Sequence, residues 1–242
     1  MAIRKNWYYD DMRQTGTDYN DADEVRRYDE RMAAFRNIPA ETDAILAALN
    51  LKSTHTVIEF GAGTGETAIE LSKHCAHVYA VDVSKTMCDY AKNKAKSRMR
   101  NNIEFIHSGF LSYEHGGAPV DAVVSQIALH HLPDFWKMIA LTRIFAMIKD
   151  GGRLYLRDIV FSISHDKYEP ALDRILEHFR ETSGAELAAD FERHISNEYS
   201  TYDWIMEEML YRAGFSIESA EYDEDYMAVY VCIKPAARKT GK

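Results

Sequence analysis

The run Val57-Ile58-Glu59-Phe60-Gly61-Ala62-Gly63-Thr64-Gly65 constrains this chain more than any other stretch. It reads as an apolar strand with an acidic residue near its end, then three glycines at alternate positions. A helix pattern, Glu66-Thr67-Ala68-Ile69-Glu70-Leu71, begins at once. Glycine serves where the backbone takes a positive φ or must approach a ligand closely. The first turn of a helix presents N–H groups with no partner inside the helix, so the arrangement reads as a nucleotide cradle. One helix and one strand further on, the apolar run His77-Val78-Tyr79-Ala80-Val81 ends in Asp82. A carboxylate at the tip of a second strand can accept both hydroxyls of a ribose.

The rest of the chain continues this alternation. Residues 22–36 carry Val25, Tyr28, Met32 and Phe35 at helical spacing; Ile38-Pro39 is expected to break that helix, and a second runs over 40–50. Strands are expected at 55–60, 77–82, 103–107, 121–126 and 152–159, with helices at 65–75, 85–99 and 134–148. Such alternation gives parallel strands with helices on both faces. Residues 161–198 carry no strand signal and read as two helices. Thr201–Ala213 reads as another, with Gly214 as its C-cap. The apolar runs 215–222 and 226–234 are joined only by Asp223-Glu224-Asp225, so they must pair antiparallel.

Glycine spacing separates two large groups of nucleotide folds. The dinucleotide fingerprint is G-x-G-x-x-G; here the loop is G-x-G-x-G, with Glu59 two residues before the first glycine. In that form it resembles the first motif of class I S-adenosylmethionine (SAM) methyltransferases. Val81-Asp82-Val83-Ser84 is similar to their second motif. Asp121-Ala122-Val123-Val124-Ser125-Gln126 with Leu129-His130-His131-Leu132 is similar to their fourth strand and the loop after it. Gly151-Gly152-Arg153-Leu154-Tyr155-Leu156 is similar to their fifth strand. The matches span residues 51–160, and the subtype resembles the broad small-molecule (type 11) group that includes quinone-biosynthesis enzymes.

The resemblance implies an α/β fold, a Rossmann-like seven-stranded sandwich whose antiparallel last strand inserts between the fifth and sixth. It also implies a helical cap or lid over residues 1–50, a core over 51–235 with a helical insertion at about 161–200, and a flexible tail at 236–242. The hairpin at the end is a feature that dinucleotide-binding dehydrogenase sheets lack.

The implied cofactor is SAM, and the resemblance carries roles to particular positions. Glu59 would organise the loop Gly61, Ala62 and Gly63 and the amino end of the ligand. Asp82, followed by Val83, would hold the ribose, with Met87 and Phe110 on the two sides of the adenine. Gly109 stands where the family often has an acid against the adenine amino group, so that contact is expected to be missing. Gln126 would face the methionine part. His130 and His131 are candidates for a general base, although His-His-Leu at this place fits a structural role as well. Tyr9 and Tyr28, with Trp7, Tyr8 and Arg31, would form a lid. Arg157 and Asp158 would face the acceptor or form a salt-bridged pair. His165, Tyr168, His178 and Trp204 are possible liners of the acceptor pocket. His74, Cys75 and His77 lie close in sequence without a fourth ligand, and no metal is expected.

Composition narrows the partners. The 242 residues suit one domain with a well-buried core. A formal charge of −9, with basic residues dense only between Lys92 and Arg100, disfavours nucleic acid. No apolar run approaches the roughly 18 residues of a membrane span, and the N-terminus lacks the apolar stretch of a signal peptide. Three cysteines, an odd number without metal spacing, suit reduced thiols in the cytoplasm. A small-molecule acceptor is the expectation. Two rivals stay open: a nicotinamide-dependent oxidoreductase, and a non-catalytic SAM-binding regulator or partner subunit.

Overall fold

The computed structural model describes residues 5–13, 19–33 and 36–236. The start of the expected lid, Phe35 and the tail beyond 236 lie outside the described residues. Two helices, α1 (Ala22–Ala33) and α2 (Ile38–Leu49), precede the sheet. Then come β1 (Thr56–Phe60), α3 (Glu66–Leu71), β2 (His77–Asp82), α4 (Lys85–Ser97), β3 (Ile103–His107) and β4 (Val120–Gln126). A short 3-10 turn at Leu129–His131 leads into α5 (Asp134–Met147) and β5 (Ile148–Phe161). The chain closes with α6 (Tyr168–Thr182), α7 (Ala185–Asn197), β6 (Thr201–Tyr202), α8 (Asp203–Ala213), β7 (Ser216–Asp223) and β8 (Met227–Ile233).

The strands lie in the order β3-β2-β1-β4-β5-β8-β7, with the two-residue β6 beside β5. The first five are parallel, and β8 runs antiparallel between β5 and β7. This is the expected sandwich with one short strand added. Because β1 is central, all its residues after Thr56 are buried. Ile58 and Phe60 pack on one face with Leu141 and Ile144 of α5 and Leu210 of α8. Val57 packs on the other with Ile45 and Leu49 of α2. The period-2 alternation of a strand therefore points Glu59 toward the α2 side. A separate cluster of Ile159, Ile175 and Phe191 seats α6 and α7 at the far end of β5.

Several boundaries differ from the sequence reading, and β5 starts at Ile148 rather than at 152. Pro39 does not merely break a helix: it lies in the first turn of α2, where a missing N–H costs nothing, and the Asn37 side chain caps the turn by accepting from Ala40 N at 3.2 Å. Helix α3 has only 6 residues. Thr201 and Tyr202 are strand rather than helix, paired with Val160 and Phe161.

Candidate active site

The three glycines after β1 are all left-handed, with φ of 72°, 52° and 78° for Gly61, Gly63 and Gly65, yet each is there for a different reason. A Cβ on Gly61 would lie 2.3 Å from Ala128 Cβ, and one on Gly65 would press Ala91 and Phe105 at 2.9 and 3.1 Å. Those two glycines let the loop pack. A Cβ on Gly63 meets no heavy atom within 4 Å; the space beside it is open cavity. The Gly63 N–H does not point into that cavity, because it donates to Asp82 Oδ2 at 2.7 Å. Asp82 Oδ1 accepts from Ser84 N at 2.8 Å. The acid at the tip of β2 thus fixes the glycine loop and the start of α4 together.

Two adjoining cavities open along the carboxyl ends of β1, β2 and β4, with Gly61, Gly63, Ile127, His131 and Tyr28 shared between them. The smaller, about 120 Å³, is lined by Asp82, Val83, Met87, Gly109, Phe110 and Tyr9. Phe110 stacks on Phe60 at 4.9 Å between ring centres. A side chain on Gly109 would displace Asp11, because its Cβ would lie 2.3 Å from Asp11 Oδ2. That carboxylate, brought in by the N-terminal segment, accepts from Leu111 N at 2.8 Å and Ser112 N at 3.1 Å and also lines the cavity. Ile127, a β-branched residue at φ 51°, is a backbone outlier at the mouth of both cavities. Such strain costs about 1–3 kcal/mol and concentrates at functional sites.

The larger cavity, about 750 Å³, is lined by Glu59, Ala62, Gln126, His130, His194 and Glu198, among others. Here buried polar atoms lack partners: among the described residues Glu59 Oε2 and Gln126 Oε1 have none. Burial pushes the Glu59 carboxyl up to about 8, Arg36 opposing and Asp82 adding to the shift. Gln126 donates to Thr67 Oγ1 at 3.1 Å, which leaves its oxygen turned to the cavity side.

At the far wall four titratable groups meet. The His130 ring lies between two carboxylates, with Nδ1 2.5 Å from Asp158 Oδ1 and Nε2 3.1 Å from Glu198 Oε2. Burial alone would lower His130, but Asp158 and then Glu198 hold it up at about 9. Its neighbour His131 is pushed down to about 4 by burial and by His130. Glu198, on the turn after α7, is held well below the usual carboxylate range by His130 and His194 despite its burial. A neutral imidazole and a carboxylate facing one cavity can take a proton from a bound molecule or hold a cation.

Residues 57–152 match the family model described as a methyltransferase domain. The chain carries a methyltransferase domain. Among curated relatives, an uncharacterized methyltransferase from Geobacillus kaustophilus is 28% identical over 216 residues, covering 89% of this chain and 91% of its own. A SAM-dependent methyltransferase structure from Aquifex aeolicus superposes with a TM-score of 0.62 at 19% identity, over 88% of this chain and 98% of that one. Magnesium protoporphyrin IX methyltransferase from Synechocystis, solved with bound SAM, gives 0.56 at 17% identity, over 93% and 88%. SAM is the cofactor that the motif resemblance implies. The residues present fit it: two buried acceptors without partners, Glu59 Oε2 and Gln126 Oε1, suit an ammonium, and the open space beside Gly63 suits an extended chain.

Every residue expected to hold the cofactor lines one cavity or the other, as do His130, His131, Tyr9, Tyr28 and Arg31, whereas Trp7 and Tyr8 line neither. The exceptions are informative. Asp158 is wholly buried and reaches the cavity only through His130; Arg157 lines neither cavity and pairs with Glu41 of α2 at 3.2 Å. Neighbours in a strand point to opposite faces, so the two do not pair with each other. His165, Tyr168, His178 and Trp204 line neither cavity, and Trp204 is 66% exposed. The insertion instead contributes His194 and Glu198, four apart at the end of α7. Their i,i+4 spacing was a usable signal. Among the described residues, two of the five basic residues between Lys92 and Arg100 form ion pairs, Lys94 with Asp29 and Glu66, and Arg98 with Glu66.

Proposed function

We propose that this methyltransferase acts on a small-molecule acceptor bound in the larger cavity, beside Glu198 and the histidines. The observation that carries this reading is the cavity itself. At about 750 Å³ it has the size of a small-molecule pocket, and α1, α6 and α7 contribute to its walls. A net charge of −9 argues against nucleic acid as the acceptor. In this reading the adenosine lies in the smaller cavity, with the ribose on Asp82 and Asp11 standing in for the acid that Gly109 lacks. The ammonium of the methionine part lies on Glu59 and Gln126. Bound SAM supplies a methyl already activated on a sulfonium. The protein's task is then to orient the acceptor, exclude water and accept a proton. Three buried free cysteines suit a reducing compartment, and we place the enzyme in the cytoplasm. No helix among the described residues is long and apolar enough to cross a membrane.

Incubation of the enzyme with methyl-labelled SAM and a cell extract, followed by size separation, tests the acceptor class. Label should collect in the fraction of roughly drug-sized molecules, in line with the cavity. Label in protein or RNA would end the small-molecule reading.

The N-terminal segment acts as a lid in this scheme. Tyr8 and Tyr9 pack on Trp136, with Tyr8 at 4.9 Å between ring centres. Tyr9 Oη donates to His131 O at 3.4 Å, and Asp29 of α1 accepts from Thr64 Oγ1 at 2.5 Å. These contacts span the cavities and are light enough to open. Amide hydrogen exchange should show residues 5–13 and 19–33 gaining protection when the demethylated product of SAM is added. Equal protection with and without that ligand would make the segment a fixed part of the fold.

A further inference from the structure

The groups on the far wall of the larger cavity have the geometry of ligands around a single ion. One nitrogen each from His130 and His131 and an oxygen of Glu198 all lie within 4.8 Å of one another. His130 Nε2 and His131 Nδ1 are 3.1 and 3.6 Å from Glu198 Oε2. Ligands bonded at about 2.0–2.2 Å to one zinc ion stand roughly 3–4 Å apart. His194 Nδ1, 2.7 Å from the same carboxylate oxygen, brings a third imidazole to the group.

The groups behind these rings have the form expected of metal ligands. A ligating histidine usually engages its other nitrogen with a carboxylate, carbonyl or other polar group, which fixes tautomer and ring orientation. His130 does so through Nδ1 to Asp158 Oδ1 at 2.5 Å, and Asp158 is itself anchored by His130 N at 3.0 Å and Ile159 N at 2.8 Å. His194 does so through Nε2 to Ser200 Oγ at 2.7 Å. Both rings therefore turn their remaining nitrogens toward Glu198. His130, His131, His194 and Glu198 all line the cavity, so positions not filled by the protein would face whatever is bound there.

We propose that His130, His131 and Glu198, with His194 beside them, form a site for a borderline divalent cation such as Zn²⁺, whose open positions bind a heteroatom of the methyl acceptor. Imidazole nitrogens with one carboxylate suit zinc and its first-row neighbours better than magnesium or calcium. The role rests on the reading of the larger cavity as the acceptor site. An acceptor X–H bound to the cation loses its proton more readily. The freed lone pair on X attacks the methyl carbon, the carbon–sulfur bond breaks with its electrons passing to sulfur, and the products are X–CH₃, the demethylated thioether and a proton to solvent.

The test uses the full chain, freed of metal with a chelator and titrated with Zn²⁺ against a chromophoric competitor. One ion should bind per chain. Glu198→Ala and His131→Ala should each weaken it by about 10- to 100-fold or more, and Glu198→Ala, at a residue that lines the larger cavity but not the smaller, should leave SAM affinity within a few-fold. Loss of an inner ligand is at least as severe as loss of the outer partners, for which that range is typical. Co²⁺ in place of Zn²⁺ should give visible absorption that both substitutions abolish. His130→Ala is avoided as the deciding variant because it would strand buried Asp158. Absence of stoichiometric binding by Zn²⁺ and Co²⁺, or binding that neither substitution alters, overturns the site. Because metal binding is read without any acceptor, a macromolecular methyl acceptor would sink the small-molecule reading and leave this result standing.

Discussion

Gly63→Val is expected to abolish measurable SAM binding while the protein stays folded. The residue has φ 52°, and a Cβ built on it meets no heavy atom within 4 Å apart from its chain neighbours. The fold can therefore accommodate the branch sterically, at a backbone cost of about 1–2 kcal/mol for an L-residue in the left-handed region, with β-branching adding to it. The space it would fill is the junction of the two cavities, where the proposed pose carries the ligand from Asp82 to Glu59. Circular dichroism and titration with SAM on the same sample separate the two effects. Retained binding in a folded variant would mean that the ligand does not run past this backbone. Gly61→Val makes the contrast: its Cβ would collide with Ala128 at 2.3 Å, so the loss there is of the fold itself.

Glu59→Gln should raise the stability of the ligand-free protein at neutral and mildly alkaline pH and weaken SAM binding about 10- to 100-fold, the scale of a hydrogen bond to a charged group. The carboxyl is 3% exposed, and its value in the folded protein is about 8 against 4.5 for the ordinary group. A carboxyl raised in this way keeps its proton in the folded state after the unfolded chain has lost it. Stability then falls as pH rises from about 4.5 to about 8, and is unaffected by this group below that window. At pH 7 the penalty is on the order of 2–4 kcal/mol, since each unit of difference is worth about 1.4 kcal/mol. The Gln variant removes it, and each kcal/mol moves Tm by about 2–4 °C in a chain of this size. The gain should shrink to nothing near pH 4.5. An ammonium placed on Glu59 must ionise it, so SAM binding to the unmodified enzyme near pH 7 should release close to one proton, and binding to Glu59→Gln none from this site. Calorimetry in two buffers of different ionisation heat reads the proton directly. A flat difference in Tm across this pH window would show that Glu59 is ionised before SAM arrives.

The two predictions lean on different levels of description. That Gly63 and Glu59 belong to one loop was written in the chain, because a strand, an acid, glycines at alternate positions and a helix can be read from spacing alone. The same holds for the parallel sheet and for the antiparallel hairpin at the end, since two apolar runs joined by three acidic residues have no other way to pair. Asp82 at a strand tip was equally legible. What Asp82 does in the absence of ligand was not, because its bonds to Gly63 N and Ser84 N depend on how β1 and β2 lie side by side.

Tertiary structure decided everything that joins distant segments. Local pattern marks His130 and His131, and the i,i+4 spacing of His194 and Glu198 pairs those two with each other, but nothing local joins the pairs, which meet only because α6 and α7 fold back over the end of β5. The aromatic and basic residues of the insertion drew attention by type, yet an amphipathic helix shows such residues to solvent as readily as to a pocket, and Trp204 and Tyr168 went to solvent. Gly109 announced a missing acid; only the packing of the N-terminal segment could bring Asp11 to that place. Spacing along the chain determines what each segment can be, because periodicity and glycine are local constraints. Which segments meet at the cavity is fixed by burial of the three apolar clusters, a property of the whole chain.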